Sequence, residues 1–313
     1  MQKNKQMNKI LTFSITILLF GIQKISAQNY LNYYETINKA EIAHLDKEYK
    51  VSDSIYQIAF ELVEKPFKED YLLASINSEK LNNNQKTYEF LKKGISRGLD
   101  IKRIKKQLAE FKNSNQWKIL KKEYNSLQEK HLASLNLSLR NEISEMVRKD
   151  QKARKPIFGS WRQMKKTDSY NYNRLLKIIK ENGNKWPGFS TIGEITHKGK
   201  YDFDLLGNIA IMPLHFKKEE IEYIEPYMLE AVLEGNMYPY QYARIIDYRL
   251  KNKVVNVIEK NGVTKKNRCF FYGTFTKELI CDCKKTEEER KKIGLEPLND
   301  FYRKKKSDFK CKK

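Results

Sequence analysis

Residues 33–130 contain very few of the residues that interrupt a helix, and this constrains the fold more than any other feature. Pro66, Gly94 and Gly98 are the only proline and glycines in that stretch. Proline removes a backbone donor and glycine adds conformational freedom, so their scarcity favours α-helices joined by polar turns. The sequence therefore predicts an almost wholly helical N-terminal region.

The helices of this region form pairs that recur along the chain. Tyr56 and Tyr88 occupy matching places in the second helix of each pair, about 32 residues apart, a period typical of stacked helical hairpins. The predicted pairs are Ile37–Leu45 with Val51–Leu62, and Tyr71–Leu81 with Lys86–Ile95. Each hairpin would bury its apolar face against its neighbour.

The second pair resembles the tetratricopeptide repeat. The residues that carry the likeness are Tyr71-Leu72-Leu73-Ala74, Leu81, Tyr88, Leu91, Gly94-Ile95 and Gly98. The chain departs from that family at Thr87 and Gly94, where a small alanine is usual. The resemblance implies either a short docking groove or a structural cap for the rest of the protein.

The C-terminal part mixes helices with a β-hairpin. Helical periodicity starts at Leu132, and the strands Val254–Ile258 and Arg268–Tyr272 flank an Asn261-Gly262 turn. The predicted fold class is mainly α (α+β), with tetratricopeptide-like hairpins followed by a helical domain and a small C-terminal hairpin. The predicted divisions are a signal peptide at 1–27, the repeat-like region at 28–130, a second domain at 131–300 and a basic tail at 301–313.

Residues 1–27 have the three parts of a secretory signal peptide. Lysines charge its start, an apolar run covers Ile10–Ile22, and Ile25-Ser26-Ala27 is a small-residue cleavage site. The sequence thus predicts a secreted or periplasmic protein with no membrane span after cleavage. The formal charge of +22 raises a further hypothesis, weak binding of polyanions. The lysines are mostly interleaved with glutamates, however, and only the tail is a concentrated basic block.

The four cysteines fit that location. Cys269, Cys281, Cys283 and Cys311 form an even set late in the chain, which favours disulfides in an oxidising compartment. Cys281 and Cys283 are too close to pair with each other, so their partners are sought in the other two. Free thiols and a metal site are the alternatives, although the spacing matches no common zinc pattern.

A helical stripe in the second domain runs into charged residues. The apolar positions Leu139, Ile143 and Met146 continue by helical spacing to Asp150 and then Arg154. Either this helix end leaves the core, or the two residues form a sheltered pair. His215 follows an almost wholly apolar segment, where imidazole can act as acid, base or ligand, or serve as a structural histidine.

The order of several C-terminal features resembles a family of bacterial proteins with a domain of unknown function. They are Asp150-Gln151 with Arg154, Trp186-Pro187, His215, Asp247 with Arg249, and Tyr272-Gly273-Thr274. The resemblance makes Gln151, Trp186, Asp247, Tyr272 and Thr274 candidate binding residues. The chain departs from the family before His215, between Asp247 and Arg249, and after Thr274, so a shared active site would be altered here.

These features lead to three functional hypotheses. The first is a binding or scaffolding protein for a protein or cell-envelope component, because common catalytic motifs are missing from the sequence. The second is a hydrolase-like enzyme with His215 as general acid/base and Asp150, Arg154 and Arg249 orienting the substrate. The third is polyanion binding by the basic surface. No cofactor and no metal are predicted.

Overall fold

The computed structural model describes residues 28–155, 160–194, 209–258, 264–275 and 278–311. Within these ranges the protein is mainly α-helical with a small C-terminal sheet, which confirms the predicted fold class. The predicted signal peptide and the Asn261-Gly262 turn lie outside the described residues. No described helix combines the length and the apolar character that crossing a membrane requires.

The N-terminal half is a succession of helices. They are α1 (28–45), α2 (Tyr49–Leu62), α3 (Lys68–Lys80), α4 (Asn84–Ile95), α5 (Ile101–Gln107) and α6 (Asn115–Ala133), with a 3-10 turn at Phe111–Asn113. The predicted polar turn before α4 works as a cap, because the Asn83 side chain accepts the backbone N–H of Lys86 at 3.0 Å.

The C-terminal half contains shorter helices around one long pair. They are α7 (Leu137–Ala153), α8 (Trp161–Glu181), α9 (Phe189–Ile192), a 3-10 helix (Ile209–His215), α10 (Lys218–Leu233), α11 (Pro239–Arg249), α12 (Cys283–Lys292) and α13 (Leu298–Lys304). The predicted helix start at Leu132 is wrong. Leu132 belongs to α6, and α7 begins later because Asn136 caps it by accepting the N–H of Leu139 at 3.0 Å.

The sheet has four strands in the order β1 (Lys253–Ile258), β2 (Thr264–Phe270), β3 (Leu279–Ile280) and β4 (Lys310–Cys311). Strands β1 and β2 are antiparallel, with Lys253 opposite Cys269, and the two short strands add in parallel. The second strand begins before the predicted Arg268 and ends before the predicted Tyr272. Tyr272 lies beyond the strand because its backbone N–H bonds a side chain of α11.

Two disulfides surround this sheet. The structure pairs Cys269 with Cys281 and Cys283 with Cys311, with Cα–Cα distances of 4.9 and 5.7 Å. The first bond links β2 to the residue after β3, and the second fastens β4 to the start of α12. The cysteines thus hold together strands that are too short to be stable alone.

One hydrophobic core joins the two halves. It extends from Tyr30 in α1 to Leu295 after α12, and the Tyr34 hydroxyl donates to the carbonyl of Val232 at 2.6 Å. Position 130, where the sequence places the domain boundary, lies inside α6. A smaller cluster among α3 to α6 contains Trp117.

The basic C-terminal segment is folded over most of its length. Helix α13 lies at its start, and β4 lies near its end. Arg303 pairs with Asp46 and Lys304 pairs with Glu41, so this segment is attached to α1. Part of the concentrated positive charge is therefore neutralised within the fold.

Candidate acid–base site

Helix α7 places Asp150 in the interior. Ile143, Met146 and Val147 of the same helix are buried, and Asp150 is completely inaccessible at 0% exposure. Of the two alternatives that the sequence left open, the structure shows the sheltered pair: Arg154 Nη1 lies 3.0 Å from Asp150 Oδ1. The apolar stripe of α7 therefore places the Asp150 carboxylate in the interior, near the C-terminal end of the helix.

Four side chains surround the Asp150 carboxylate. Oδ1 lies 3.2 Å from His215 Nδ1 and 3.0 Å from Arg154 Nη1, and the amide nitrogen of Asn171 lies at 3.5 Å. Oδ2 accepts a hydrogen bond from Gln151 Nε2 at 2.7 Å. These residues together with Asp168 are called the Asp150 cluster, and they fix α7, α8 and the 3-10 helix to one another.

Arg154 connects the buried carboxylate to α8. Its Nη1 also donates to the main-chain oxygen of Asp150 at 2.9 Å, and its Nη2 pairs with Asp168. One guanidinium therefore compensates two carboxylates, as a buried charge requires. We expect Arg154 to position Asp150 rather than to contact a substrate.

The 3-10 helix brings His215 to the edge of the core. Ile209 to Pro213 are buried, whereas the His215 side chain is 21% exposed. Its Nδ1 faces Asp150, and no described residue gives Nε2 a hydrogen-bond partner. The side chains of Arg154 and Asp168 are 20% and 23% exposed. The Asp150 cluster therefore reaches solvent through these side chains and His215, while Asp150 itself is buried.

Arg249 contacts the main chain next to His215 and not the Asp150 carboxylate. Its Nη2 donates to the main-chain carbonyl of Phe216, the residue directly after His215. Phe216 is fully buried and makes an edge-to-face contact with Tyr172 of α8. Arg249 thus fixes the backbone beside His215.

The remaining predicted binding residues lie in other surroundings. The carboxylate of Asp247 accepts the N–H of Tyr272 at 2.6 Å, and the N–H and hydroxyl of Thr274 at 3.0 and 2.8 Å. Burial raises the pKa of Asp247, while these hydrogen bonds act in the opposite direction. Trp186 is 4% exposed within the core. These side chains organise the fold and take no part in the Asp150 cluster.

The cluster also has the spacing of metal ligands. One ligand atom from each of Asp150, Asp168 and His215 lies within 4.8 Å of the others. The guanidinium of Arg154 pairs with both carboxylates, however, and already supplies the positive charge that a cation would supply. The donor set therefore suits acid–base chemistry better than metal binding.

Sequence reasoning missed Asp168 and Asn171. The buried stripe of α8 contains Leu175 and Ile178, and extending it toward the N-terminus by helical spacing reaches Asn171 and then Asp168. Extending the apolar stripe of α7 by the same spacing, but toward the C-terminus, does find Asp150. Asn171 is 1% exposed, and no described residue hydrogen-bonds its Oδ1.

Comparison with known proteins adds no functional assignment to this geometry. No protein-family model matches the chain, and neither the curated proteins nor the solved structures give a match. The resemblances to tetratricopeptide repeats and to the domain of unknown function therefore remain predictions. The function has to be argued from the site itself.

Proposed function

We propose that the protein is a hydrolase-like enzyme in which His215, oriented by Asp150, is the general acid/base. The observation that carries this proposal is the 3.2 Å contact between His215 Nδ1 and the buried Asp150 carboxylate. A carboxylate that accepts the Nδ1 proton leaves the lone pair of a neutral imidazole on Nε2. The His215 side chain is partly exposed.

The reaction follows from that orientation. As the oxygen of a water molecule attacks the substrate, Nε2 of His215 takes a proton from that water. Asp150 stabilises the resulting imidazolium, which then gives its proton to the leaving group. Arg154 and Arg249 are positioning residues, because the first holds both carboxylates and the second holds the carbonyl of Phe216.

The site of action is proposed from the sequence and the disulfides. A signal peptide at residues 1–27 would export the protein, and an oxidising compartment would favour both disulfides that the structure pairs. A substrate of the cell envelope is consistent with this location.

A matched set of variants tests the proposal. Purified protein is assayed on chromogenic esters, phosphoesters, glycosides and peptides, with His215→Ala, Asp150→Asn and the control His44→Ala. His44 lies on α1 and contacts Asn77, outside the Asp150 cluster. Loss of a general base lowers kcat/KM about 100-fold or more, so we expect that loss in His215→Ala only on the substrate class that the protein hydrolyses. Equal activity of His215→Ala and the wild type, or no hydrolysis in any class, would contradict the proposal.

Binding or scaffolding remains a second proposal, and exposed apolar side chains on the repeat-like helices favour it. Leu45, Val51 and Ile58 are 43%, 50% and 55% exposed, and the last two share one face of α2 by their spacing. A Val51→Lys/Ile58→Lys variant is expected to lose retention on envelope fractions, whereas His215→Ala retains it. The reverse pattern would contradict a docking role of this face. Polyanion binding is a third proposal, and affinity that falls steeply with added salt would support it.

A further inference from the structure

A cavity lies away from the Asp150 cluster, where the repeat-like helices meet the rest of the protein. It has a volume of about 580 Å³. Six segments contribute to its walls: residues 29–30, residues 62–68, Arg97, His131 with the α6–α7 turn, residues 189–194 and residues 234–238. Volumes of about 300–1,000 Å³ are usual for sites that bind small molecules. We call this space the junction cavity.

Two glycines show that the backbone is closed tightly around one wall. Gly98 and Gly193 have φ values of +93° and +64°, a region that favours glycine. A Cβ on Gly98 would stand 2.6 Å from His131 Nε2, and one on Gly193 would stand 2.7 Å from a methyl carbon of Leu135. The turns that bear these glycines therefore enclose the imidazole of His131.

Arg97 in the cavity wall is a cation that has no counter-ion among the described residues. The Nε of Arg97 contacts only the carbonyl oxygen of Pro66, at 3.5 Å, and no described carboxylate lies within ion-pair distance of its guanidinium. The acidic groups of the wall are otherwise engaged or solvated: Glu194 pairs with Lys68 at 3.0 Å, Glu234 pairs with Lys185 at 2.6 Å, and Glu64 is exposed. An anion entering the cavity would thus meet a half-buried guanidinium.

The electrostatics of His131 agree with an excess of positive charge here. Burial, together with the charges of Lys68, Arg140 and Arg97, lowers the pKa of His131 to about 4, so the ring is neutral at pH 7. Arg140 donates to the main-chain oxygens of Ile192 and Glu194. Burial lowers the pKa of Arg140 and the charge of Glu194 raises it, but no described carboxylate forms an ion pair with its guanidinium. No described residue hydrogen-bonds the His131 ring.

Part of the cavity wall is aromatic. Tyr30, Phe67 and Phe189 line the cavity, and the Phe67 ring contacts Phe189 edge to face with centroids 5.8 Å apart. Arginine recognises carboxylate and phosphate oxygens through paired N–H donors, whereas aromatic walls accept an apolar body. We propose that the junction cavity binds a small organic acid, with its anionic group on Arg97 and its apolar body against Tyr30 and Phe189.

Isothermal titration calorimetry of the whole chain tests this site. The probes are benzoate and phenyl phosphate, with benzamide as the neutral analogue and inorganic phosphate as the anion without an apolar body. We expect millimolar or tighter binding of at least one aromatic acid and weaker binding of the other two probes. Benzoate and phenyl phosphate distinguish a carboxylate ligand from a phosphate ester.

Variants locate the binding. Because a hydrogen bond to a charged group contributes about 1.5–3 kcal/mol, Arg97→Gln is expected to weaken binding about tenfold to a hundredfold. Arg148→Gln is the matched control, since Arg148 is an exposed arginine of α7 paired with Glu145. A bound anion should also raise the pKa of His131, and an NMR titration of the ring signals measures this change. Equal binding by Arg97→Gln and wild type, equal binding of benzamide and benzoate, or no heat from either acid at millimolar concentration would each overturn the proposal.

Discussion

At the scale of single residues, two buried aspartates have contrasting surroundings. Asp150 is surrounded by side chains, including a histidine and an arginine. Asp247 is surrounded mainly by backbone N–H groups, and accepts from Tyr272 and Thr274. A carboxylate among titratable side chains is suited to chemistry, whereas one that satisfies backbone donors is suited to holding a turn.

That contrast predicts the effect of Asp247→Asn on stability. The carboxylate oxygens of Asp247 accept the backbone N–H groups of Tyr272 and Thr274. Asparagine would replace one of these oxygens with an NH₂ group, which cannot accept a hydrogen bond. A buried donor left unsatisfied costs about 1–3 kcal/mol, and we expect the free energy of unfolding in urea to fall by that amount. Asp308→Asn is the control at an exposed aspartate. Equal stability of the two variants would show that Asp247 does not hold the Tyr272-Gly273-Thr274 turn.

A third aspartate predicts a pH dependence. Asp70 is buried and accepts a hydrogen bond from Tyr33, and burial raises its pKa to about 8. Between pH ~4, the ordinary carboxyl pKa, and about pH 8, Asp70 holds a proton in the folded chain that it has lost in the unfolded chain. The stability that this proton contributes is therefore lost as the pH rises. We expect the wild type to lose up to ~1.4 kcal/mol per pH unit relative to Asp70→Asn in this window. Urea unfolding at pH 5 and pH 8 measures the change.

The exposed carboxylate of Glu61 provides the control for this measurement. Glu61→Gln should show the same pH dependence as the wild type. A wild type that gains stability over Asp70→Asn between pH 5 and pH 8 would contradict a raised pKa.

At the scale of secondary-structure elements, the two disulfides stabilise a sheet whose short strands would not be stable alone. Strands β3 and β4 consist of only two residues each, Leu279–Ile280 and Lys310–Cys311, and are too short to be stable alone. The two bonds close segments with sequence separations of 12 and 28 residues. The longer closure restricts the unfolded chain more.

This difference predicts unequal losses of stability. Chain-entropy arguments give a loss of about 3.6 kcal/mol for Cys283→Ser/Cys311→Ser and about 2.8 kcal/mol for Cys269→Ser/Cys281→Ser. Urea unfolding under non-reducing conditions compares the two double variants. A larger loss in the second variant would show that native contacts around β2, rather than loop closure, dominate.

At the scale of the whole molecule, α1 connects distant parts of the chain. Its residues contact Val232 through Tyr34, and Asp300 through Asn38 at 2.7 Å. The main core draws on both sides of position 130. We therefore expect one cooperative unfolding transition, with coincident curves from circular dichroism and tryptophan fluorescence. Two separated transitions would instead indicate that the halves unfold independently.

Periodicity along the chain predicted much of this architecture. It placed α2 and α4 closely, since amphipathic spacing and polar turns are local properties. It also pointed to Asp150, Arg154 and His215. Contacts between distant segments were not predictable in this way. Asp168 of α8 pairs with Arg154 at the end of α7, Cys283 pairs with Cys311, and six separate segments line the junction cavity.

The tautomer of His215 tests the proposed acid–base site most directly. Nitrogen-15 NMR of histidine-labelled protein, with the His215 signals assigned from a His215→Asn variant, distinguishes which ring nitrogen carries the proton. We predict that neutral His215 carries its proton on Nδ1, toward Asp150, with an unprotonated Nε2. A neutral ring protonated mainly on Nε2 would contradict the proposed acid–base site.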